Sequence, residues 1–363
     1  MFIEIIKQNR VGLNFIRYLL ALIVIYDHSF HMGGFGEEPV IYSFGERSAF
    51  GQIAVGGFFV LSGFLITISA QNNSFADFLI SRFLRIWPGL VALLLFTIVI
   101  IGPLFIILEN RDIYSYLQNF RINGPYSYFL HNLSLPVILQ DNLDNVFDNV
   151  PNFLKVNGSL WTLPLEIRAY FICYVLISIG KKLNLLWTIL VFEILLTFYI
   201  VMKNFNITTF DYFVPNFIWI NAWSYWFFIF FFGSLTAIYF QTRIYKNTYS
   251  IFTVSLFIIT LLCGGVIFKT IGAGLLIFIF PIFSQFLKLN KLRFFINDIS
   301  YGTYIYGYVI GQTVIYIYPD SFPNVYLFFF TTASITTVCA LLSWFYVEKP
   351  ALGIKQTFKS LKK

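Results

Sequence analysis

The chain has 363 residues, of which 58% are hydrophobic and only 11% charged, with a formal net charge of +7 and a mean hydropathy of +0.76. A soluble chain carries roughly a quarter charged residues, and apolar runs recur here over the whole length, so a soluble globular enzyme is excluded in favour of a multi-pass membrane protein. The basic residues are scattered among short loops, which the positive-inside rule explains better than a nucleic-acid partner does.

A crossing needs ~20 mostly apolar residues, and by that measure about ten spans are predicted. They fall near 11–30, 50–70, 86–108, 160–180, 184–202, 217–240, 250–268, 270–287, 300–318 and 325–346. The loops between them alternate in charge. One side collects Lys7, Arg10, Arg82, Arg85, Lys181, Lys182, Arg243, Lys246, Lys288, Lys291, Arg293 and the tail lysines. The other holds Glu37, Glu38, Glu46, Asp112, Asp141, Asp144, Asp148 and Asp320. Excess Lys and Arg marks the cytoplasm, so both termini are expected there. The expected fold class is all-α, a polytopic transmembrane helix bundle in the inner (plasma) membrane.

No cleavable signal is expected at the N-terminus, because Arg17 and His28 interrupt the first apolar run. The longest loop, 109–158, is placed outside; it is either a functional, partly re-entrant segment or a cap packed over the bundle. With no internal repeat and no soluble module, one membrane domain is expected over 1–351, followed by a basic tail at 352–363. Cys173, Cys263 and Cys339 lie in apolar runs and read as buried hydrophobes. Three scattered histidines make a metal site unexpected.

Ionisable groups within a span are functional candidates by default. In "RYLLALIVIYDH", Arg17 and His28 are eleven residues apart, three helical turns plus about 20°, so they share a face and are separated by about 16 Å along the axis. Arg17 lies at cytoplasmic depth, where it either snorkels or binds; His28 lies near the outer side. Gly33-Gly34 is expected to end this helix just past His31. Asp27 is turned about 100° from His28 and is set aside as its partner. In "GGFFVLSGFLI", Gly57, Ser62 and Gly63 read as close helix packing, since no base accompanies Ser62. "SRFLRIWP" puts Arg82 and Arg85 on one helical face, as positive-inside anchors or as a phosphate clamp. Glu166, entering the fourth span at the depth of His28, either pairs with Arg168 or orients the imidazole. Glu193 is isolated in the fifth span.

Taken in order, these segments resemble the acyltransferase-3 family of integral membrane acyltransferases. The matching pieces are Arg17-x10-His28, "GGFFVLSGFLI", "SRFLRIWP", "SLWTLPLEIRAYF" with Ser159, Trp161, Glu166 and Tyr170, "DISYGTYIYG", and "WFYVEKPA". The resemblance implies acyl transfer, usually acetyl from acetyl-CoA, to a hydroxyl of a surface glycan or lipid-linked oligosaccharide. It assigns His28 as the essential histidine and Arg17, Arg82 and Arg85 to the CoA side. Trp161, Tyr170 and Tyr304 are carried over as substrate-binding positions. Acetyl-CoA is expected as a co-substrate, with no tightly bound cofactor. His28 would act as general base or as a transient acyl carrier, with Glu166 orienting it. One departure is Gly307, where the family often has a histidine. The rival reading from another class is a non-enzymatic glycan or lipid exporter, which the same buried charges would also suit.

Overall fold

In the computed structural model the regular structure of the described residues is helical throughout. These residues are 10–39, 50–135, 139–150, 155–204, 220–239, 272–286, 293–319 and 321–354, with the single positions 256, 260 and 291. Helix α1 (Arg10–Met32) runs unbroken through Arg17 and His28. It stops as expected: Gly34 takes the left-handed conformation with φ 68°, and Phe35 N donates to Phe30 O at 3.0 Å. That bond closes a Schellman end, which needs a residue without a Cβ penalty at the left-handed position. Helix α2 is Phe50–Asn72.

Helix α3 (Phe75–Leu108) begins well before the predicted 86, because "FADFLISRFLRI" continues the helix through both arginines. At 1.5 Å per residue it is about 51 Å long, against a hydrocarbon core of ~30 Å. Its Phe96–Ile101 stretch is π-helical. A π-turn shifts the hydrogen-bond register and leaves carbonyls needing outside partners. The Ile98 carbonyl accepts from the Tyr116 hydroxyl at 2.9 Å, and a side chain at Gly102 would collide with that phenol.

Tyr116 belongs to α4 (Ile113–Leu117), the first of two short helices in the long loop; α5 is Pro125–Ser134. Asp112 caps α4, accepting from Tyr114 N and Ser115 N, both at 3.0 Å. Five non-glycine residues of this loop are left-handed: Asn110, Asn123, Leu135, Asn145 and Phe147. Leu135 and Phe147 are fully buried, so packing holds them in a region that bulky side chains otherwise avoid. The described part of 109–158 thus holds two short helices and well-buried side chains.

The remaining helices are α6 (Thr162–Gly180), α7 (Leu185–Asn204), α8 (Ile220–Tyr239), α9 (Ala273–Phe286), α10 (Ser300–Ile317) and α11 (Val325–Ile354). A 3-10 turn at Arg293–Ile296 precedes α10. Among the described residues five helices, α1, α2, α3, α6 and α11, are long and apolar enough to cross a membrane. The predicted seventh span at 250–268, apart from positions 256 and 260, Cys263 and the tail beyond Ile354 lie outside the described residues.

The chain divides into two compact units. The first takes residues 1–16, 39–78 and 165–296. Within it, α2 crosses α8 backbone to backbone: a β-carbon on Gly63 would strike Phe230 O, and one on Gly233 would strike Val60 O. Ser234 Oγ adds a bond to Gly63 O at 3.3 Å. Gly56 likewise admits Ala273 of α9, whose methyl would lie 2.6 Å from an added β-carbon. The small residues of "GGFFVLSGFLI" thus serve close packing.

The second unit takes residues 17–38, 79–164 and 297–363. Its centre is α10, buried on every side from Gly302 to Ile315, as a helix apolar all round must be. Helix α1 runs parallel to α10: Arg17 meets Asp298, Ile25 meets Gly307 and Met32 meets Gly311. Helix α3 is parallel too, with Arg85 at Asp298, Phe96 at Tyr306 and Phe105 at Tyr316. Helix α11 is antiparallel, with Ala340 at Gly302 and Thr332 at Gly311.

Candidate active site

Two polar clusters lie on α1 in the second unit, one at each end of the Arg17–His28 interval. At the lower one, Arg17 Nη1 and Arg85 Nη2 both donate to a single atom, Asp298 Oδ2, at 2.6 and 2.7 Å. The other oxygen, Oδ1, accepts from Ser300 Oγ at 2.5 Å and Ser300 N at 3.3 Å. Burial works against ionisation of Asp298, but the Arg17 and Arg85 charges and the Ser300 bonds outweigh it and hold the carboxyl down at about 2. Arg85 also lies over the Tyr301 ring, 5.9 Å from its centroid, and Tyr301 OH donates to Ile86 O at 2.8 Å.

Beside this cluster sits Glu348, 2% exposed, accepting from Ser343 Oγ at 2.9 Å and close enough to feel the charges of Arg85, Asp298 and Arg17. Gly89 and Gly302 make its room: a β-carbon on either would come within 3.3 Å of the Glu348 side chain. Arg82 is half-buried one turn before Arg85. Sequence reasoning singled out the arginines but neither Asp298 nor Glu348. The signal for Asp298 was an acid among Lys288, Lys291 and Arg293 on the otherwise basic side.

At the upper end, the His28 ring stands edge-on to Tyr308, centroids 5.1 Å apart at 79°. Its Nδ1 lies 3.8 Å from Asp27 Oδ2, beyond a hydrogen bond but within ion-pair reach. Setting Asp27 aside is therefore corrected: adjacent helical side chains leave the axis about 100° apart, yet the carboxylate folds back beside the imidazole. Residues 155–162 wall this end. Gln312 Nε2 donates to Lys155 O at 3.0 Å, and Asn157 Nδ2 donates to Ile305 O at 2.9 Å. Gly158 lets Tyr308 approach, since a β-carbon there would sit 2.6 Å from the ring. The Tyr304 hydroxyl shares a 3.0 Å bond with Thr162 Oγ1, and Trp161 is half-buried next to it in sequence.

Gly307 has no space for a larger residue, because a β-carbon would fall 2.6 Å from Ile25 Cγ1. Ile25 fills the volume a histidine would need. In the first unit, Glu166 Oε2 accepts from Tyr170 OH at 2.7 Å, one turn along α6. Glu193 is 5% exposed, and neither of its oxygens has a hydrogen-bond partner among the described residues. It lines an apolar groove of about 480 Å³ between α7 and α8.

The chain is 30% identical over 359 residues to an "O-acetyl transferase" of Shigella phage Sf6, covering 92% of this chain and 93% of the relative. It is 24% identical over 369 residues to "Nodulation protein 10" of Rhizobium leguminosarum bv. viciae, covering 96% and 94%. No solved structure matches it. The acyltransferase-3 family model, described as an acyltransferase domain, matches residues 10–344, and on that match the chain belongs to this family of acyltransferases.

Proposed function

We propose that the protein transfers an acyl group, acetyl from cytoplasmic acetyl-CoA, across the membrane to a hydroxyl of a cell-surface polysaccharide or glycolipid. The observation that carries this reading is α1, one unbroken helix with Arg17 at the level of its pairing with Asp298 and His28 about 16 Å higher on the same face. The name of the phage relative, an O-acetyl transferase, supports the acyl group proposed. On this reading 1–351 is one catalytic domain of about ten spans in the inner membrane, with both termini and the tail at 352–363 cytoplasmic. The parallel course of α1, α3 and α10 suits that topology, because all three enter from the same side.

CoA phosphates dock at Arg17, Arg82 and Arg85, and the thioester reaches His28. With Nδ1 turned to Asp27, Nε2 is the working nitrogen. It takes the proton of the sugar hydroxyl as that oxygen attacks the thioester carbonyl; the C–S bond breaks and the CoA sulfur leaves with a proton. Such a base contributes typically 10²–10⁴-fold. In the covalent variant the acyl group rests on Nε2 between two transfers. Glu166 supports the same step, and Trp161, Tyr170 and Tyr304 bind acceptor.

The test supplies labelled acetyl-CoA to membranes and follows label into glycan, with mass spectrometry of the surface glycan from cells with and without the protein. Transfer that needs the protein and stops in His28→Ala supports the reading. Undiminished transfer in that variant overturns the role of His28, and an unchanged glycan mass returns the protein to the exporter class.

A further inference from the structure

Two guanidinium groups bound to one carboxylate oxygen cannot be farther apart than the two bonds together. Both belong to side chains that are mostly buried, 23% exposed for Arg17 and 18% for Arg85. Like charges held that close in a half-buried setting repel strongly. Without a counter-charge, long arginine side chains swing their heads toward water. Asp298 prevents this, and it is itself immobilised because Ser300 grips Oδ1 through both its hydroxyl and its backbone N–H. Three helices contribute to the arrangement: Arg17 from α1, Arg85 from α3, and Asp298 with Ser300 at the start of α10.

We propose that Asp298 is a positioning residue for acyl-CoA: it fixes Arg17 and Arg85 as one preformed receptor for a phosphate of the donor. This rests on the function proposed above. A guanidinium is planar with its N–H groups in a fixed fork, and Asp298 takes one N–H from Arg17 and one from Arg85, so both forks are held in fixed directions. With Arg82 one turn before Arg85 and Glu348 beside the cluster both counted, three guanidinium charges against two carboxylates leave a net charge of +1, the sign an anion requires.

The carboxylate has opposing effects on a phosphate. Its charge repels the ligand, whereas its grip sets the geometry of the attracting groups. Phosphate would touch the guanidinium groups directly and Asp298 only across them, and Coulomb energy falls with distance. Losing the geometry of two direct contacts therefore costs more than losing one indirect repulsion. The sign of the effect follows: neutralising Asp298 weakens donor binding, although it makes the site more positive.

The test compares wild type, Asp298→Asn, Asp298→Glu and Ser300→Ala in membranes, with thermal unfolding in detergent as the check on folding. For Asp298→Asn the apparent KM for acetyl-CoA rises about ten- to hundredfold, the range of one or two charge-assisted bonds, while the acceptor KM stays within about twofold. Ser300→Ala, which frees the carboxylate without removing it, shifts KM the same way by less. Asp298→Glu recovers part of the loss by restoring the charge. A folded Asp298→Asn protein with unchanged or lowered acetyl-CoA KM overturns the proposal, as does an equal rise in both KM values. If wild type moves no label from acetyl-CoA, the functional reading falls. Binding of inorganic pyrophosphate to purified wild type and Asp298→Asn then decides the positioning role, with equal affinities overturning it.

Discussion

Ile25 of α1 occupies the space above Gly307 of α10, lying where a β-carbon would be only 2.6 Å from its Cγ1. Gly307→Ala should therefore destabilise the protein by about 1–3 kcal/mol, the usual cost of overpacking, and Gly307→His by more. Thermal unfolding in detergent checks both. Ile25→Ala combined with Gly307→His should recover part of the loss; no recovery would mean that something other than Ile25 sets the limit.

The α2–α8 crossing is the second place where a single methyl group is decisive. Gly63→Ala and Gly233→Ala each put a β-carbon into the partner's backbone, which unlike a side chain cannot rotate aside. Each variant should lower the yield of folded protein in membranes sharply, while Gly353→Ala, with open space around it, should behave as wild type. Normal yield of the two crossing variants would refute the close approach.

Tyr116→Phe removes the donor to Ile98 O but keeps the ring. An unsatisfied buried carbonyl costs about 1–3 kcal/mol, so the melting temperature should fall. Proteolysis of the 109–158 loop in detergent-solubilised protein should speed up as the loop loosens. Unaltered cleavage would show that the loop is held elsewhere.

Asp298 gives a pH prediction. Its folded value, about 2, lies below the unfolded one, ordinarily about 3.9. A depressed carboxyl contributes stability above its unfolded value and loses it as pH falls through the folded one. Wild type should lose stability between about pH 4 and pH 2 more steeply than Asp298→Asn, as read by unfolding midpoints in detergent. Parallel curves would contradict the ion pairs.

Glu193 makes the opposite kind of forecast. A buried carboxyl without a donor opposes folding, so Glu193→Leu should leave thermal stability unchanged or raise it. A drop of several degrees would point to a partner for this carboxyl.

Much of this was legible beforehand because hydrocarbon imposes simple rules. Apolar runs of membrane length marked the helices, and the charge cost made Arg17, Arg82, Arg85 and Glu193 conspicuous. The eleven-residue interval fixed the shared face of Arg17 and His28 from helix geometry alone. Hidden features were those set by pairing across the sequence. Asp298 meets Arg17 from 281 positions away, and no local pattern announces such a contact. The early start of α3 was obscured because Arg82 and Arg85 look like a membrane boundary, although nothing in their backbone chemistry ends a helix. Asp27 was misjudged because angular position on a helix describes where a side chain leaves, whereas a flexible carboxylate decides where it arrives.

The span from Arg17 to His28 has one further consequence. It is set by hydrogen-bonded turns of α1 and by a parallel α10 alongside it, with no loop in between to stretch or fold. On the function proposed above, the protein would work as a gauge of its donor. On that reading a molecule anchored by its phosphates at the arginine level would present its reactive carbon at one height only, so a donor with a shortened arm would occupy the site, compete with the full-length one, and never react.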